Sequence, residues 1–381
     1  MKILNVGVVG TGFIGKQHIE AIRRIPGTQV MAVADSNLET AKRTAEELCI
    51  PKYYGSYQEL LADPEISIVH NCTPSAMHLA VNRDAILAKK HIYSEKPLTL
   101  SAEESKELIA LAGENEVAAG VNFNYRHNVM VKEMRQRVKN NIGKVFHLEV
   151  RYLQDWLMYP TDYDWRMDSK VGGVSRAVAD IGSHCFDTVQ YVLDQRIVSV
   201  YARLHTVFPV RQKCMSTGGT FGGKKGPVIE EVPVTSEDFA YILLRFEDGT
   251  TGIMHVSQVC AGRKNGLELL VSGSEYALEW KQERADRLWV GHRDIPNEEL
   301  CADGKLLTDE AGKFATLPGG HAVAWHDALR NAIQVFYQSI RENDFKSTQQ
   351  DYVTFETGHY LMKLIEACMK SDKTNQWVSV E

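Results

Sequence analysis

Lys96, in the run Glu95-Lys96-Pro97, and the pair Asp180 and His184 are the residues of this chain whose types and spacing could do chemistry. Histidine is the natural general base near neutral pH, because its unperturbed pKa is about 6.5. Asp180 stands four residues before His184, a spacing that puts both side chains on one face of a helix. There the carboxylate can orient a cation or a substrate hydroxyl. The same spacing also fits a surface Asp and a satisfied core His. Lys96 follows a strand-like run, and from a strand's carboxyl edge it can reach both a cofactor and a substrate; a surface lysine in a turn would look the same.

A third group is aromatic and polar: Tyr152, Asp155, Trp156, Tyr163, Trp165 and Arg166. Aromatic faces beside an Asp and an Arg suit a sugar ring, which has apolar C–H faces and a rim of hydroxyls. They equally suit an aromatic loop packed on a sheet. His321, in Pro318-Gly319-Gly320-His321, either closes a site from the C-terminal segment or merely begins a helix.

The elements that must position these residues are legible from the N-terminus. Ile3–Val9 is a short apolar, β-branched run that reads as a buried strand. Gly10-Thr11-Gly12-Phe13-Ile14-Gly15 follows, then a segment with helical apolar spacing (Ile14, His18, Ala21, Ile22, Ile25) ended by Pro26-Gly27. Val30–Ala34 reads as a second strand ending at Asp35. Strand, glycine-rich turn, helix, strand and acid is the order a dinucleotide demands. Gly10 permits the tight turn, Gly12 lets a pyrophosphate approach the backbone, and Gly15 lets the helix pack close to the sheet. Asp35 can accept hydrogen bonds from a ribose diol. Its carboxylate repels a 2′-phosphate and Ser36-Asn37 follow it, so NAD is expected over NADP, with Lys42 and Arg43 near enough to keep NADP open.

The α/β alternation continues to about residue 125. Helices are expected at Leu38–Leu48, Tyr57–Ala62, His78–Ala88 and from the Ser101 N-cap to Ala112, and strands at Ile66–Asn71, His91–Ser94 and Val117–Val121. The loops Thr73-Pro74 and Glu95-Lys96-Pro97 both follow strands, at the carboxyl edge where ligands of open α/β sheets bind. After Arg126 the pattern changes. Val129–Asn140 reads as a helix, and Val145–Tyr152, Ile197–Phe208, Phe239–Phe246, Thr250–Val259 and Leu267–Gly273 as alternating strands, with Asp248-Gly249 a hairpin turn. Helices return at His321–Asn343 and Gln349–Met369, and the Gly- and Lys-rich Cys214–Pro233 reads as a surface loop. The expected division is a dinucleotide-binding domain over 1–125 and an α+β substrate-binding and oligomerisation domain over 126–381.

With 381 residues the chain is long enough for two such domains. A net charge of −6 with both signs interspersed argues against a nucleic-acid footprint. Seven dispersed cysteines without a CxxC pair argue for reduced thiols, against a disulfide framework or zinc knuckle, and for a cytoplasmic setting. No metal site is expected, and since no apolar run reaches transmembrane length, no membrane partner is expected either. An open sheet with few helices leaves an apolar face, which points to a homodimer or homotetramer.

Taken together, the Gly10/Gly12/Gly15 fingerprint, the Glu95-Lys96-Pro97 loop and the later Asp180 and His184 resemble the Gfo/Idh/MocA oxidoreductase family, in motif order and over essentially the whole chain. The resemblance implies α/β architecture: an N-terminal Rossmann domain followed by an α+β domain with an open, mostly antiparallel sheet. It implies NAD(P)-dependent oxidation or reduction of a carbinol, usually on a sugar, cyclitol or glycoside. By matched position, Lys96 would bind the reacting hydroxyl and hold the nicotinamide region, Asp180 would hold Lys96 or a neighbouring hydroxyl, and His184 would be the acid/base. A cis peptide before Pro97 is implied as well. The cofactor would face Gly10, Gly12, Phe13, Ile14, Gly15, Asp35, Thr73, Pro74, His78, Glu95 and Lys96. The substrate would face Lys96, Asn124, Arg126, Tyr152, Asp155, Trp165, Arg166, Asp180, His184 and His321. One departure stands out: Gly172-Gly173 runs into Val174 where the family commonly has a third glycine, and Ser175–Ala179 is longer than usual. The segment from Trp165 to Phe186, with the late Pro-Gly-Gly-His, is most similar to the levoglucosan dehydrogenase-like branch, whose members oxidise sugar-derived rings and glycosides, often at C3. Two other readings use the same residues: an enzyme that retains NAD for redox-assisted cleavage or epimerisation of glycosides, and a non-catalytic NAD-binding sensor.

Overall fold

The computed structural model describes residues 3–216, 225–347 and 349–380. They form two compact units, Met1–Phe123 with Leu329–Met362, and Asn124–Ala328 with Lys363–Glu381. The sequence division placed everything after 125 in the second domain; Leu329–Met362 belongs instead with the first unit.

In the first unit, strands and helices alternate: β1 (Leu4–Val9), α1 (Phe13–Arg23), β2 (Thr28–Ala34), α2 (Leu38–Glu47), β3 (Lys52–Tyr54), α3 (Tyr57–Ala62), β4 (Ile68–Asn71), α4 (His78–Leu87), β5 (His91–Ser94), α5 (Ala102–Asn115) and β6 (Ala119–Val121). The sheet order is Val353–Thr354, β6, β5, β4, β1, β2, β3. Every neighbouring pair from β6 to β3 is parallel, and Val353–Thr354 adds an antiparallel edge. Such strands are covered on both faces, which is why β1 is a largely apolar run rather than an alternation and why all four residues of β4, His70 and Asn71 included, are buried. The strand order reverses at β1 and β4, with β2 and β3 added on one side and β4 to β6 on the other, so the loops after these two parallel strands flank the switch point where nucleotides bind. Side chains cap the helices: Asn37, Ser56 and Ser101 each accept from a backbone N–H of their first turn. Helix α1 is preceded by Gly12 at the N-cap, with no capping side chain and no acid in its first turn, a terminus suited to an external anion.

The second unit carries α6 (Val129–Asn140), β7 (Val145–Leu153), α7 (Ser169–Gly172), α8 (Ser183–Leu193), β8 (Ile197–His205), β9 (Val210–Ser216), β10 (Lys225–Pro233), β11 (Phe239–Phe246), β12 (Thr251–Ser257), β13 (Gly266–Gly273), β14 (Ala277–Lys281), β15 (Arg287–Gly291), β16 (Glu298–Cys301) and α9 (Asp309–Gly312). Helix α10 (Trp325–Glu342) and helix α11 (Phe355–Thr374) each contribute residues to both units. The large sheet runs β16, β15, β14, β13, β7, β12, β11, β8, Val378–Ser379. Its pairs are antiparallel except β7 with β12, so the mostly antiparallel expectation holds. The alternation in β11 buries Ala240, Ile242, Leu244 and Phe246 on one face and exposes Tyr241 and Leu243 on the other. The Asp248-Gly249 turn joins β11 to β12, with Gly249 at φ +88° and Thr250 N donating to Asp248 Oδ1.

Three expectations are corrected. Cys214–Pro233 is no plain loop: β9 and β10 form an antiparallel hairpin, while residues 217–224 lie outside the described residues. Arg211 anchors that hairpin: it is fully buried, bonds the Leu157 and Tyr159 carbonyls, and shares Asp238 with the equally buried Arg176. The helix expected from His321 starts at Trp325, because Gly320 takes φ +89° and Asp327 Oδ2 accepts from Ala324 N at the true N-terminus. The helix expected from Gln349 starts at Phe355, because Val353–Thr354 is drawn into pairing with β6.

Candidate functional site

In the first unit the cradle is built on glycines. Gly10 sits at φ +89° after β1, and a Cβ there would lie 2.6 Å from Cys72 O. A Cβ on Gly15 would lie 2.0 Å from Gly10 O, so turn and helix touch backbone to backbone. Gly12 is the opposite case: no atom stands within 4 Å of its would-be Cβ. The open space belongs to the residue whose backbone a pyrophosphate must approach, and it lies at the α1 N-terminus, which Phe13 and Ile14 begin. Asp35 is oriented across the turn, its Oδ2 accepting from Thr11 N (3.1 Å) and Thr11 Oγ1 (2.7 Å), its Oδ1 from Asn37 N (3.2 Å). The residues present therefore fit a dinucleotide.

A buried polar network fixes the next two loops. Asn71 at the end of β4 accepts from Thr73 N and Oγ1 and donates to Asn82, and Asn82 donates to Ser94 at the end of β5. His78 spans the loops, with Nε2 2.9 Å from Thr73 O and Nδ1 2.7 Å from Pro97 O. Pro74 is exposed, Lys96 half-buried, and the Lys96-Pro97 bond is cis as the resemblance implies. His78 and Glu95, expected to face the cofactor, are turned inward. His78 is held by two carbonyls, and Glu95 accepts from Asn122 Nδ2 (2.6 Å) and Lys96 N (3.2 Å) while its Oε1 lies 2.9 Å from His18 Nε2. Burial pushes the Glu95 carboxyl up, but His18, Asn122 and Lys96 outweigh it and hold the group at about 2.

In the second unit Asp180 lies in a π-helical turn, Val178–Gly182, and His184 in the first turn of α8. The wider turn changes the phase between the two residues from the α-helical one that their spacing suggests. Asp180 Oδ2 accepts from the buried Gln258 Nε2 (2.8 Å), and its Oδ1 lies 3.5 Å from Arg166 Nε. The Arg166 guanidinium lies 4.3 Å from the Trp165 ring centroid and bonds Asp164. His184 is packed edge-on against Tyr125, centroids 4.8 Å apart, with Tyr152 at 6.2 Å. The two phenols bond each other (2.7 Å) and Asn265, and burial pushes both above their usual range, so they are neutral at physiological pH.

Asp180, Trp165 and Arg166 are thus gathered, and Tyr152 joins His184. Other expected substrate residues are spent elsewhere. Arg126 is in a buried two-pronged pair with Asp187 and lies over the Tyr191 ring. Asp155 holds Lys264 and Gly262 N, Asn124 is buried, and Tyr163 packs on the Leu157–Met167–Val234 cluster. His321 is exposed on a loop beside Pro318 O. Gly172 makes its close approach to the Arg166 backbone, 2.4 Å from its would-be Cβ, not to a ligand. Tyr125, Gln258 and Asn265 were missed from sequence, since nothing in their spacing marks them.

The chain matches two family models: "Oxidoreductase family, NAD-binding Rossmann fold" over residues 4–123 and "GFO/IDH/MocA C-terminal domain" over residues 131–279. It is 30% identical to levoglucosan dehydrogenase of Pseudarthrobacter phenanthrenivorans over 406 aligned residues, covering 100% of this chain and 99% of that one. It is 27% identical to myo-inositol 2-dehydrogenase of Thermotoga maritima over 67% of this chain and 69% of that one. A solved structure of levoglucosan dehydrogenase in complex with NADH and L-sorbose superposes with a TM-score of 0.89 at 25% identity, covering 100% of both chains.

Proposed function

We propose, for a chain that belongs to the Gfo/Idh/MocA family of NAD-binding oxidoreductases, that it oxidises a secondary hydroxyl of a sugar, anhydrosugar, glycoside or cyclitol. His184 takes the hydroxyl proton and Lys96 holds the hydroxyl oxygen. Full-length similarity to a levoglucosan dehydrogenase carries the substrate class. The grouping of Trp165, Arg166 and Asp180 supports it from within the chain, since an aromatic face beside a guanidinium and a carboxylate suits a polyol ring.

Gly10, Gly12, Gly15, Phe13, Ile14 and Asp35 would hold NAD, with Thr73, Pro74 and Lys96 toward its nicotinamide end. When bound, NAD supplies the hydride acceptor. Everything else falls to the chain. His184 accepts the proton that the carbinol oxygen releases, and the neutral phenols of Tyr125 and Tyr152 keep its ring in a fixed plane. Asp180, held by Gln258, orients a substrate hydroxyl. The exposed Tyr241, Leu243 and Ile253 on the outer sheet face support a homo-oligomer.

The test is NADH formation at 340 nm over levoglucosan, methyl glucosides, glucose, myo- and scyllo-inositol and sugar phosphates. A signal with one ring class that disappears in His184→Ala supports the reading. Silence across the panel with NAD bound overturns it in favour of a retained-cofactor enzyme or a sensor.

A further inference from the structure

A column of buried side chains in the first unit has no part in the chemistry just described. Tyr337 OH lies 2.8 Å from His70 Nε2, His70 Nδ1 lies 2.8 Å from His18 Nδ1, and His18 Nε2 lies 2.9 Å from Glu95 Oε1. Tyr337, His70 and His18 are 0% exposed and Glu95 8%, so water does not break the chain of contacts. The four come from α10, β4, α1 and the turn after β5, elements far apart in sequence.

The position of each hydrogen follows from the contacts. Two ring nitrogens at 2.8 Å need one hydrogen between them. If His70 supplies it, His70 Nε2 is a lone pair and accepts from Tyr337. His18 Nδ1 is then also a lone pair, and His18 Nε2 donates to Glu95. In the reverse order His18 Nε2 is a lone pair and Glu95 must be the protonated, neutral donor to it, while Tyr337, whose hydroxyl burial pushes well above its usual range, keeps its proton in either order. Glu95, by contrast, accepts from Asn122 Nδ2 and Lys96 N, and Asn122 is itself oriented by the Tyr93 hydroxyl at its Oδ1 (3.2 Å). The negative charge belongs on Glu95. The other titratable groups that act on the column are Cys72, His78 and Lys96 at the Glu95 end, and Tyr93 and Arg341 at the Tyr337 end.

We propose that His18, His70 and Tyr337 are positioning residues for the Glu95-Lys96-Pro97 turn: a proton-ordered column, every hydrogen pointing toward Glu95, that keeps this carboxylate ionised and fixed next to Lys96. Its effect on turnover rests on the role given to Lys96 above; its proton order does not. A fixed carboxylate beside Lys96 holds the turn that carries this side chain and sets the charge next to it. A column broken at His18 leaves Glu95 buried without its main donor, so Glu95 takes up a proton and that support is lost.

Two measurements test it. Nitrogen-15 NMR of histidine-labelled protein at pH 7.5, without substrate, should find His18 protonated at Nε2 only and His70 at Nδ1 only, with assignments from His18→Gln and His70→Gln. Both rings protonated at Nε2, or either ring doubly protonated, overturns the column. The second is a mutant cycle read in the pH profile of kcat/KM. His18→Leu should shift the alkaline limb of that profile down by ~1 pH unit. His18→Gln, which can still accept from His70 and donate to Glu95, should restore it. In a Glu95→Gln background His18→Leu should add no further shift. An equal shift in both backgrounds means that His18 does not act through Glu95. The NMR result needs no substrate, so it separates failure of the column from failure of the dehydrogenase reading.

Discussion

Thr11 donates twice to one oxygen of Asp35, through its backbone N–H over 3.1 Å and its hydroxyl over 2.7 Å. The glycine-rich turn therefore aims the acid that follows β2. Asn37 N takes the other oxygen, so the carboxylate is held from both sides before any ribose arrives.

That arrangement bears on cofactor choice. Asp35→Ser removes the charge that would repel a 2′-phosphate and should raise the NADP/NAD ratio of kcat/KM by roughly tenfold or more, the equivalent of about 1.4 kcal/mol. Thr11→Val keeps the backbone bond and loses the hydroxyl bond, and should weaken NAD binding by about 1 kcal/mol. Steady-state kinetics with both cofactors checks the first and calorimetric titration the second. An unchanged ratio in Asp35→Ser would remove Asp35 from the ribose site.

The three glycines should separate by phenotype. Gly12→Ala meets open space, so it should fold with an unchanged melting temperature and lose NAD affinity by roughly tenfold or more, since its methyl would fill the cradle. Gly10→Ala must adopt φ +89° against Cys72 O, at a cost of about 1–2 kcal/mol from the backbone alone. Gly15→Ala collides with Gly10 O and should be less stable still. Thermal melts and NAD titrations of the three variants decide this; a destabilised Gly12→Ala would mean that the cradle is packed from within.

These glycines, with β1, β2 and Asp35, were legible because a parallel strand, a tight turn and an acid each leave a local mark in sequence. The sheet of the second unit was legible only where alternation is clean, as in β11 and β12. β14 and β15 alternate as well, burying Leu278, Trp280, Leu288 and Val290, but at five residues each, with β16 at four, they are too short for the alternation to stand out in sequence. The π-turn at Asp180 was hidden because a one-residue change of helical phase has no residue signature. Arg126 misled for a physical reason: a lone arginine near a domain start reads the same whether it meets a substrate or, as here, the buried Asp187 sixty-one positions away. His18 was counted among the apolar positions of α1. A histidine on an apolar face needs a partner, and that partner lay in Glu95 and His70.

His184→Ala should lower kcat by ~10²–10⁴-fold, the usual worth of a positioned base, with NAD affinity unchanged. Arg166→Ala should act mainly on KM, because Arg166 meets Asp180 and Trp165 rather than His184. Kinetics on the substrate found in the panel, with NAD binding measured separately, tests both. Wild-type turnover in His184→Ala would reassign the base.

Acid should destabilise the protein in two stages with different owners. Burial pushes His70 and His78 below the usual 6.5, so the folded chain binds fewer protons there than the unfolded one. Their contribution is complete above about pH 6.5 and is lost as pH falls below it. Glu95 works lower. Burial raises its carboxyl, but His18, Asn122 and Lys96 bring it from 4.5 to about 2. Its contribution is therefore present above pH 4.5 and lost between 4.5 and 2, in all roughly 3 kcal/mol at 1.36 kcal/mol per pKa unit. Urea midpoints measured from pH 8 to pH 2.5 should fall in both windows. Glu95→Gln carries no titrating group at that position and should shrink the lower window while leaving the upper one in place. His70→Gln should shrink the upper window, in which His78 still titrates. A wild-type midpoint that rises on acidification from pH 6.5 would contradict the sign for the histidines, and an unchanged lower window in Glu95→Gln would contradict it for the carboxylate.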